Sequence, residues 1–163
     1  MKRFLLGFIG LAILVISALV ALAWESALPE QSPPVMAQFS QADIERGRVL
    51  AGIGNCASCH TTDPERPYAG GLAMPTPFGT LYTTNISPDP ATGIGFWSEA
   101  AFIRSMREGV ARDGSHLYPA FPYTHYTRVS REDLQALYAY LMTREPIQAP
   151  KPDNELKFPF NLR

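Results

Sequence analysis

The sequence holds only two cysteines among its 163 residues, Cys56 and Cys59. A disulfide framework is excluded, because closing so tight a loop removes little chain entropy. A four-ligand zinc site lacks its second cysteine pair. A surplus of one charge sign is missing as well. Fourteen basic residues stand against fifteen acidic ones, for a net charge of -1. That balance provides no basic surface of the kind nucleic acid requires. Alternation of apolar and polar positions is also absent, so no stretch reads as a half-buried strand.

What the chain does have is concentrated in Asn55-Cys56-Ala57-Ser58-Cys59-His60. Cys-x-x-Cys-His is the attachment pattern of a c-type haem. Two thiols on one helical turn can add to the two vinyl groups of a porphyrin, which brings the next imidazole under the iron. Cys56 and Cys59 then become thioethers, and His60 becomes the proximal ligand. Three other readings compete. Zinc would need the adjacent Cys59 and His60 to point at one tetrahedral ion. A thioredoxin-like dithiol belongs at the start of a helix after a buried strand, whereas residues 40 to 53 read as helix. A chance match in an unrelated fold is the third.

Positions 4 to 24 form an uncharged apolar run of 21 residues after Lys2 and Arg3, about the length of a bilayer-spanning helix. Ala21-Leu22-Ala23 offers a signal-peptide cleavage site, but the run exceeds the usual ~7 to 15 apolar residues of such signals. An uncleaved anchor is expected, covering residues 1–24 as anchor or signal. Lys2 and Arg3 would remain in the cytoplasm and the rest of the chain outside.

Residues 25–38 carry Pro29, Pro33 and Pro34 without apolar periodicity, which predicts a semi-extended tether off the membrane. A folded domain is expected over 39–145. Its first helix starts with Ser40 as cap, Asp43 as box partner and Phe39 and Ile44 as staple, and Gly47 would admit another helix at close range. The second has Ser98 as cap and Trp97 and Phe102 as staple, ending at Gly109. The third has Ser130 as cap, Asp133 as partner and Val129 and Leu134 as staple. Leu134, Leu137, Tyr138 and Leu141 recur at helical spacing, which predicts a buried stripe. Between the first two helices, residues 61 to 95 hold six prolines and, from Gly70, five glycines. Regular helix is excluded there. Tyr68, Phe78 and Tyr82 in this segment either cover a porphyrin or simply pack a loop-rich core. Residues 146–163, with Pro146, Pro150, Pro152 and Pro159, read as an extended tail without a core of its own. Three main helices and long loops predict an all-α domain, which a covalent porphyrin would help to stabilise.

With these elements in place, the chain resembles class I cytochrome c domains: a helix, Cys-x-x-Cys-His, irregular loops, and a closing helix carrying Leu137 to Leu141. More narrowly, Gly70-Gly71, Pro77 to Thr80, Thr84-Asn85-Ile86, Thr92 to Gly95, Met106 to Gly109 and His116 to Ala120 resemble the membrane-bound cytochrome c subunits of bacterial periplasmic dehydrogenases. These include partners of alcohol, gluconate and aldehyde dehydrogenases and of molybdenum hydroxylases. The resemblance implies one covalent haem c with its iron. It also implies a dehydrogenase catalytic subunit as electron donor, a quinone or oxidase as acceptor, and a domain on the periplasmic side of the inner membrane. It implies an electron carrier rather than an enzyme.

Two departures from that family matter. Many relatives follow Tyr-Pro-Ala with a Met that is the second axial ligand, and this chain has Phe121. Phenylalanine cannot bind iron. His125 is the expected replacement, with His116, Met74, Met106 or an open position as alternatives. An open position would instead suit a haem enzyme or gas sensor. The second departure is length: longer relatives carry two further haem domains, and residues 156 to 163 resemble the connector before the second of them. The expectation is either a one-haem form or a shortened multi-haem subunit.

Overall fold

The computed structural model describes residues 2–35 and 38–161. Met1, Met36, Ala37, Leu162 and Arg163 lie outside the described residues, as do the side chains of Lys2, Arg3 and Leu22. Parts of the anchor, tether and tail expected from the sequence fall on them.

Helix α1 spans Lys2–Ala23 and makes a single apolar rod. Its window Phe4–Ala21 is long and apolar enough to cross a membrane, and none of it is buried inside the protein. Phe4, Leu5, Phe8 and Leu14 are each more than half exposed. In water such a surface would be costly.

The domain is built on three capped helices. Helix α2 spans Gln41–Ile53, α4 spans Glu99–Glu108 and α5 spans Arg131–Met142, while the short α3, Cys56–His60, follows α2. Each predicted serine cap forms: the side chains of Ser40, Ser98 and Ser130 accept from the backbone N–H groups of Asp43, Ala101 and Asp133 at 3.0 Å. Each satisfies one donor the first turn would otherwise leave unpaired. Gly109 closes α4 in the left-handed conformation, its N–H bonded to the Ser105 carbonyl. Thr143 ends α5, earlier than Pro146.

Helix α5 is the centre of the core. Its predicted stripe is buried, with Leu134 and Leu141 each 1% exposed, yet Ala136, Ala139, Tyr140 and Met142 are buried too. The helix is enclosed because α2 and α4 both pack on it. At the α2 crossing, a Cβ on Gly47 would lie 2.0 Å from the Ala136 carbonyl oxygen and 2.6 Å from the Tyr140 Cβ. Only glycine permits that approach. On the α4 side, Phe102 meets Tyr138 with ring centroids 5.6 Å apart. The Tyr138 hydroxyl donates to the Trp97 carbonyl at 2.8 Å, and burial pushes its pKa up to about 12.

The all-α expectation needs correction. The domain is mostly helical but includes a three-stranded antiparallel sheet in the order β1-β2-β3. Strand β1 is Ala73–Thr76, β2 is Gly79–Tyr82 and β3 is Glu155–Leu156. Thr76 pairs with Gly79 across a two-residue turn, and Gly79 in turn faces Leu156. Pro75 hides the hairpin from a pattern search, yet β1 is an edge strand, where a residue without an N–H is tolerated.

The tail docks on the domain. Its anchor is a polar knot made by two of the family-like motifs. Buried Asn85 donates to Thr92 Oγ1 at 3.0 Å and to the Ile147 carbonyl at 2.7 Å. The Ser87 hydroxyl accepts from the Ile147 N–H at 3.1 Å, and Thr92 Oγ1 accepts from the Ala149 N–H at 2.8 Å. The segment expected to hold the domain off the membrane likewise lies along the domain. The Leu28 N–H donates to the Arg112 carbonyl at 2.7 Å and the Gln31 N–H to the Phe96 carbonyl at 3.0 Å.

Candidate functional site

Helix α2 delivers the chain to Gly54 and then Asn55, whose φ of 54° and ψ of 33° turn the backbone sharply into α3. Asparagine tolerates this conformation better than most residues. Its side-chain oxygen accepts from the Ser58 hydroxyl at 2.5 Å, which ties the turn to the helix it starts. Cys56, Cys59 and His60 thus share one turn of helix, and both thiols are free and half-buried. Helix α2, not a strand, leads into them, contrary to the geometry of a thioredoxin-like dithiol. Among the described residues no three His, Cys, Asp or Glu side chains converge as a metal cage would require.

The decisive contact is made by His60. Its Nδ1 lies 2.6 Å from the Thr84 carbonyl oxygen. A carbonyl can only accept, so Nδ1 carries the proton and Nε2 is left with its lone pair. This is the tautomer that an imidazole ligand needs, fixed by a hydrogen bond on the opposite ring nitrogen. Burial holds the imidazole below the usual histidine range, which also favours the neutral form. Thr84 reaches this place because the Gly70-Gly71 turn and the following hairpin fold back on the motif. The Gly70 N–H donates to the His60 carbonyl at 2.8 Å and the Thr83 N–H to that of Leu72 at 3.0 Å.

The surroundings of the thiols are aromatic. Tyr68 is buried against Tyr140, their hydroxyls 3.2 Å apart, and burial raises its pKa, with the neighbouring Cys56 among the lesser causes. Burial likewise pushes the Cys56 thiol up. Tyr126 closes over the motif from the loop before α5. Its hydroxyl donates to the Gly54 carbonyl at 3.2 Å, and Phe121 stacks on its ring with centroids 5.5 Å apart and planes 13° apart. Burial raises the Tyr126 pKa, and Cys56 and Cys59 add to the effect.

This combination fits a covalently held haem: two free thiols on one turn, an imidazole with Nε2 available, and apolar rings beside them. The comparisons agree. The cytochrome c family model matches residues 44–145. The chain belongs to the cytochrome c family.

This cytochrome c chain is 53% identical over 159 residues to a nicotinate dehydrogenase subunit of Pseudomonas putida, covering 98% of the chain and 13% of that protein. It is 46% identical to the gluconate 2-dehydrogenase cytochrome c subunit of Pantoea cypripedii, over 77% of the chain and 29% of the relative. A diheme c-type cytochrome of Cereibacter sphaeroides is 36% identical, over 94% of the chain and 53% of that protein. The chain therefore spans between about an eighth and a half of the curated relatives it matches. Cytochrome c membership implies haem, iron and electron transfer.

The other residues singled out in the sequence are distributed as follows. His125 is exposed on a 3-10 turn, Tyr123–His125, in the loop that closes on the motif through Tyr126. Its ring makes no hydrogen bond among the described residues. His116 lies elsewhere, its Nε2 3.0 Å from the Ala23 carbonyl oxygen at the end of α1. Met74 is on edge strand β1, and Met106 is buried in the core. Of the three aromatics offered as a porphyrin cover, only Tyr68 neighbours the motif. Phe78 packs on Phe160 at the hairpin turn, and Tyr82 reaches Glu155 at 3.4 Å. Tyr126 was not singled out by sequence reasoning. Its position next to His125, in the same Pro-rich loop, was the available signal.

Proposed function

We propose that this chain carries single electrons through one haem c. Cys56 and Cys59 would hold the group through thioether bonds, and His60 Nε2 would be the proximal ligand. His125 would be the distal ligand, and the domain would be of the class I type. The observation that carries the reading is the His60 Nδ1 contact with the Thr84 carbonyl at 2.6 Å. Bound haem supplies an iron that exchanges one electron with little change in its coordination.

The protein's part is to fix the ligands and exclude water. Thr84 sets the tautomer and orientation of His60. The Asn55 turn sets the angle at which both thiols leave the backbone. Tyr68 and the Phe121–Tyr126 stack supply apolar surface near Cys56. The Tyr126–Gly54 hydrogen bond brings the 121–126 segment onto the motif, which is why His125 is preferred to His116 as the distal ligand. Ligation by two imidazoles would lower the redox potential relative to His/Met, because a thioether favours the reduced iron.

The relatives' names point to the setting. Nicotinate, gluconate and fructose dehydrogenases each have a matching subunit. We infer a dehydrogenase catalytic subunit as the donor and a quinone or oxidase of the respiratory chain as the acceptor. Helix α1 would be the anchor in the inner membrane, with the domain in the periplasm and residues 39–145 as its haem-binding unit. The test is expression in a host competent for haem attachment, followed by haem staining of denaturing gels and iron-to-protein measurement. One iron per chain and a stained band are expected, with the stain lost in a Cys56→Ala/Cys59→Ala variant. A colourless but folded protein would overturn the proposal.

A further inference from the structure

The first part of the proline-rich segment after α1 is gripped by the domain. The Ala23 carbonyl at the end of α1 lies 3.0 Å from His116 Nε2. Gly114, at φ +84°, leaves no room for a side chain: a Cβ there would be 2.2 Å from the Glu25 carbonyl oxygen. Arg104 Nη1 donates to the Ser26 carbonyl at 2.8 Å, and its Nη2 donates to the Ala111 carbonyl at 2.5 Å. Arg112 and Leu28 exchange contacts: the Leu28 N–H donates to the Arg112 carbonyl at 2.7 Å, and the guanidinium reaches Leu28 O at 3.4 Å. The same guanidinium pairs with Glu30 at 3.0 Å. With the Gln31 N–H bonded to the Phe96 carbonyl, six contacts over residues 23–31 make a strap, not a loose tether.

The difference in reach is large. Eight free residues from Trp24 to Gln31 could extend ~26 Å, enough to lift the domain clear of the headgroups. Docked, they allow no such excursion. Trp24, 74% exposed directly after the apolar helix, is the residue type that settles at the membrane–water interface. A loop whose histidine touches the last carbonyl of that helix must lie at nearly the same level.

We propose that the 112–118 loop is a membrane-contact surface, and that its partner is the phospholipid headgroup layer. The strap holds the domain against the bilayer in one attitude. This rests on the reading of α1 as a membrane anchor. The loop continues to Phe121 and His125, so the membrane-contact loop and the proposed distal side of the haem site share one backbone segment.

The test uses the full-length, haem-loaded chain in phosphatidylcholine–phosphatidylglycerol vesicles. With Cys56 and Cys59 consumed by haem attachment, Ser115→Cys provides a single thiol for a nitroxide label. Its access to lipid-dissolved oxygen and to an aqueous nickel chelate is then read by electron paramagnetic resonance. The strapped protein should favour oxygen over nickel several-fold more than two released versions, Arg104→Ala/Arg112→Ala and Gly114→Val, each first shown to retain the parental haem spectrum. Equal nickel access in the parent and in whichever released version keeps that spectrum overturns the membrane-contact proposal while leaving the anchor intact. Failure of the parent to co-sediment with vesicles overturns the anchor reading itself, and the proposal with it.

Discussion

Two glycines in α2 make opposite predictions about the same substitution. Gly47 faces α5, where a new Cβ would meet the Ala136 carbonyl oxygen at 2.0 Å, its carbon at 2.6 Å and the Tyr140 Cβ at 2.6 Å. Two of these atoms are backbone and the third is fixed to it, so no rotamer change relieves the overlap. The helices must move apart by more than an ångström. Gly52, on the same helix, would place a Cβ with nothing within 4 Å. Alanine at either site gains about 1 kcal/mol of helix propensity over glycine. At Gly47 that gain is opposed by overpacking, which typically costs about 1–3 kcal/mol, and by loosened burial along α2. Gly47→Ala should therefore lose about 1–2 kcal/mol net, and Gly52→Ala should gain up to about 1.

Thermal unfolding of the haem-loaded protein reads the difference directly. For a domain near 100 residues, 1 kcal/mol moves Tm by about 4–8 °C, so the two variants should straddle the parent by a separation well outside error. The haem spectrum, followed alongside ellipticity, shows whether displacement of α2 reaches the Cys-x-x-Cys-His turn that it feeds. If Gly47→Ala proves as stable as Gly52→Ala, the close crossing of α2 and α5 is not the packing that holds this domain together.

Three other perturbations follow from the site and its supports. His125→Ala should convert a low-spin visible spectrum into a high-spin one and allow rapid carbon monoxide binding to the reduced protein; an unchanged low-spin spectrum removes His125 from the iron. Thr92→Val deletes the hydroxyl that takes hydrogen bonds from Asn85 and Ala149, leaving a buried amide short of a partner at a cost of about 1–3 kcal/mol; limited proteolysis should then cut the tail beyond Glu145 faster than in the parent. Asp133 is held below its ordinary pKa first by the hydrogen bond from Arg46. Its contribution to stability is thus present above the unfolded carboxylate range near pH 4 and lost as pH falls below it. Arg46→Gln should flatten the acid limb of an unfolding-against-pH profile, and an identical limb in both proteins would show the pair contributes nothing.

What the sequence discloses and what it hides divide along a physical line. Side-chain signals were legible: three serine caps, the Gly47 crossing and the Leu134–Leu141 stripe all follow from residue types at fixed spacings. The contacts that finish the site are made by backbone carbonyls, which every residue possesses and which therefore leave no mark in the sequence. Thr84 orients His60 through its carbonyl, Gly54 receives Tyr126 through its carbonyl, and Ser26 and Leu28 are gripped by arginines through theirs. Pro75 misled for a related reason: its missing N–H matters only if a partner strand lies on that side, and β1 is an edge. The Pro-rich segments read as a semi-extended tether and a coreless tail because they lack apolar periodicity, yet a chain without periodicity can still be held by its own peptide groups. Arg104 and Arg112 show how. Their guanidinium groups offer several donors each to an extended segment that offers carbonyls, so a segment without apolar periodicity becomes part of the fold.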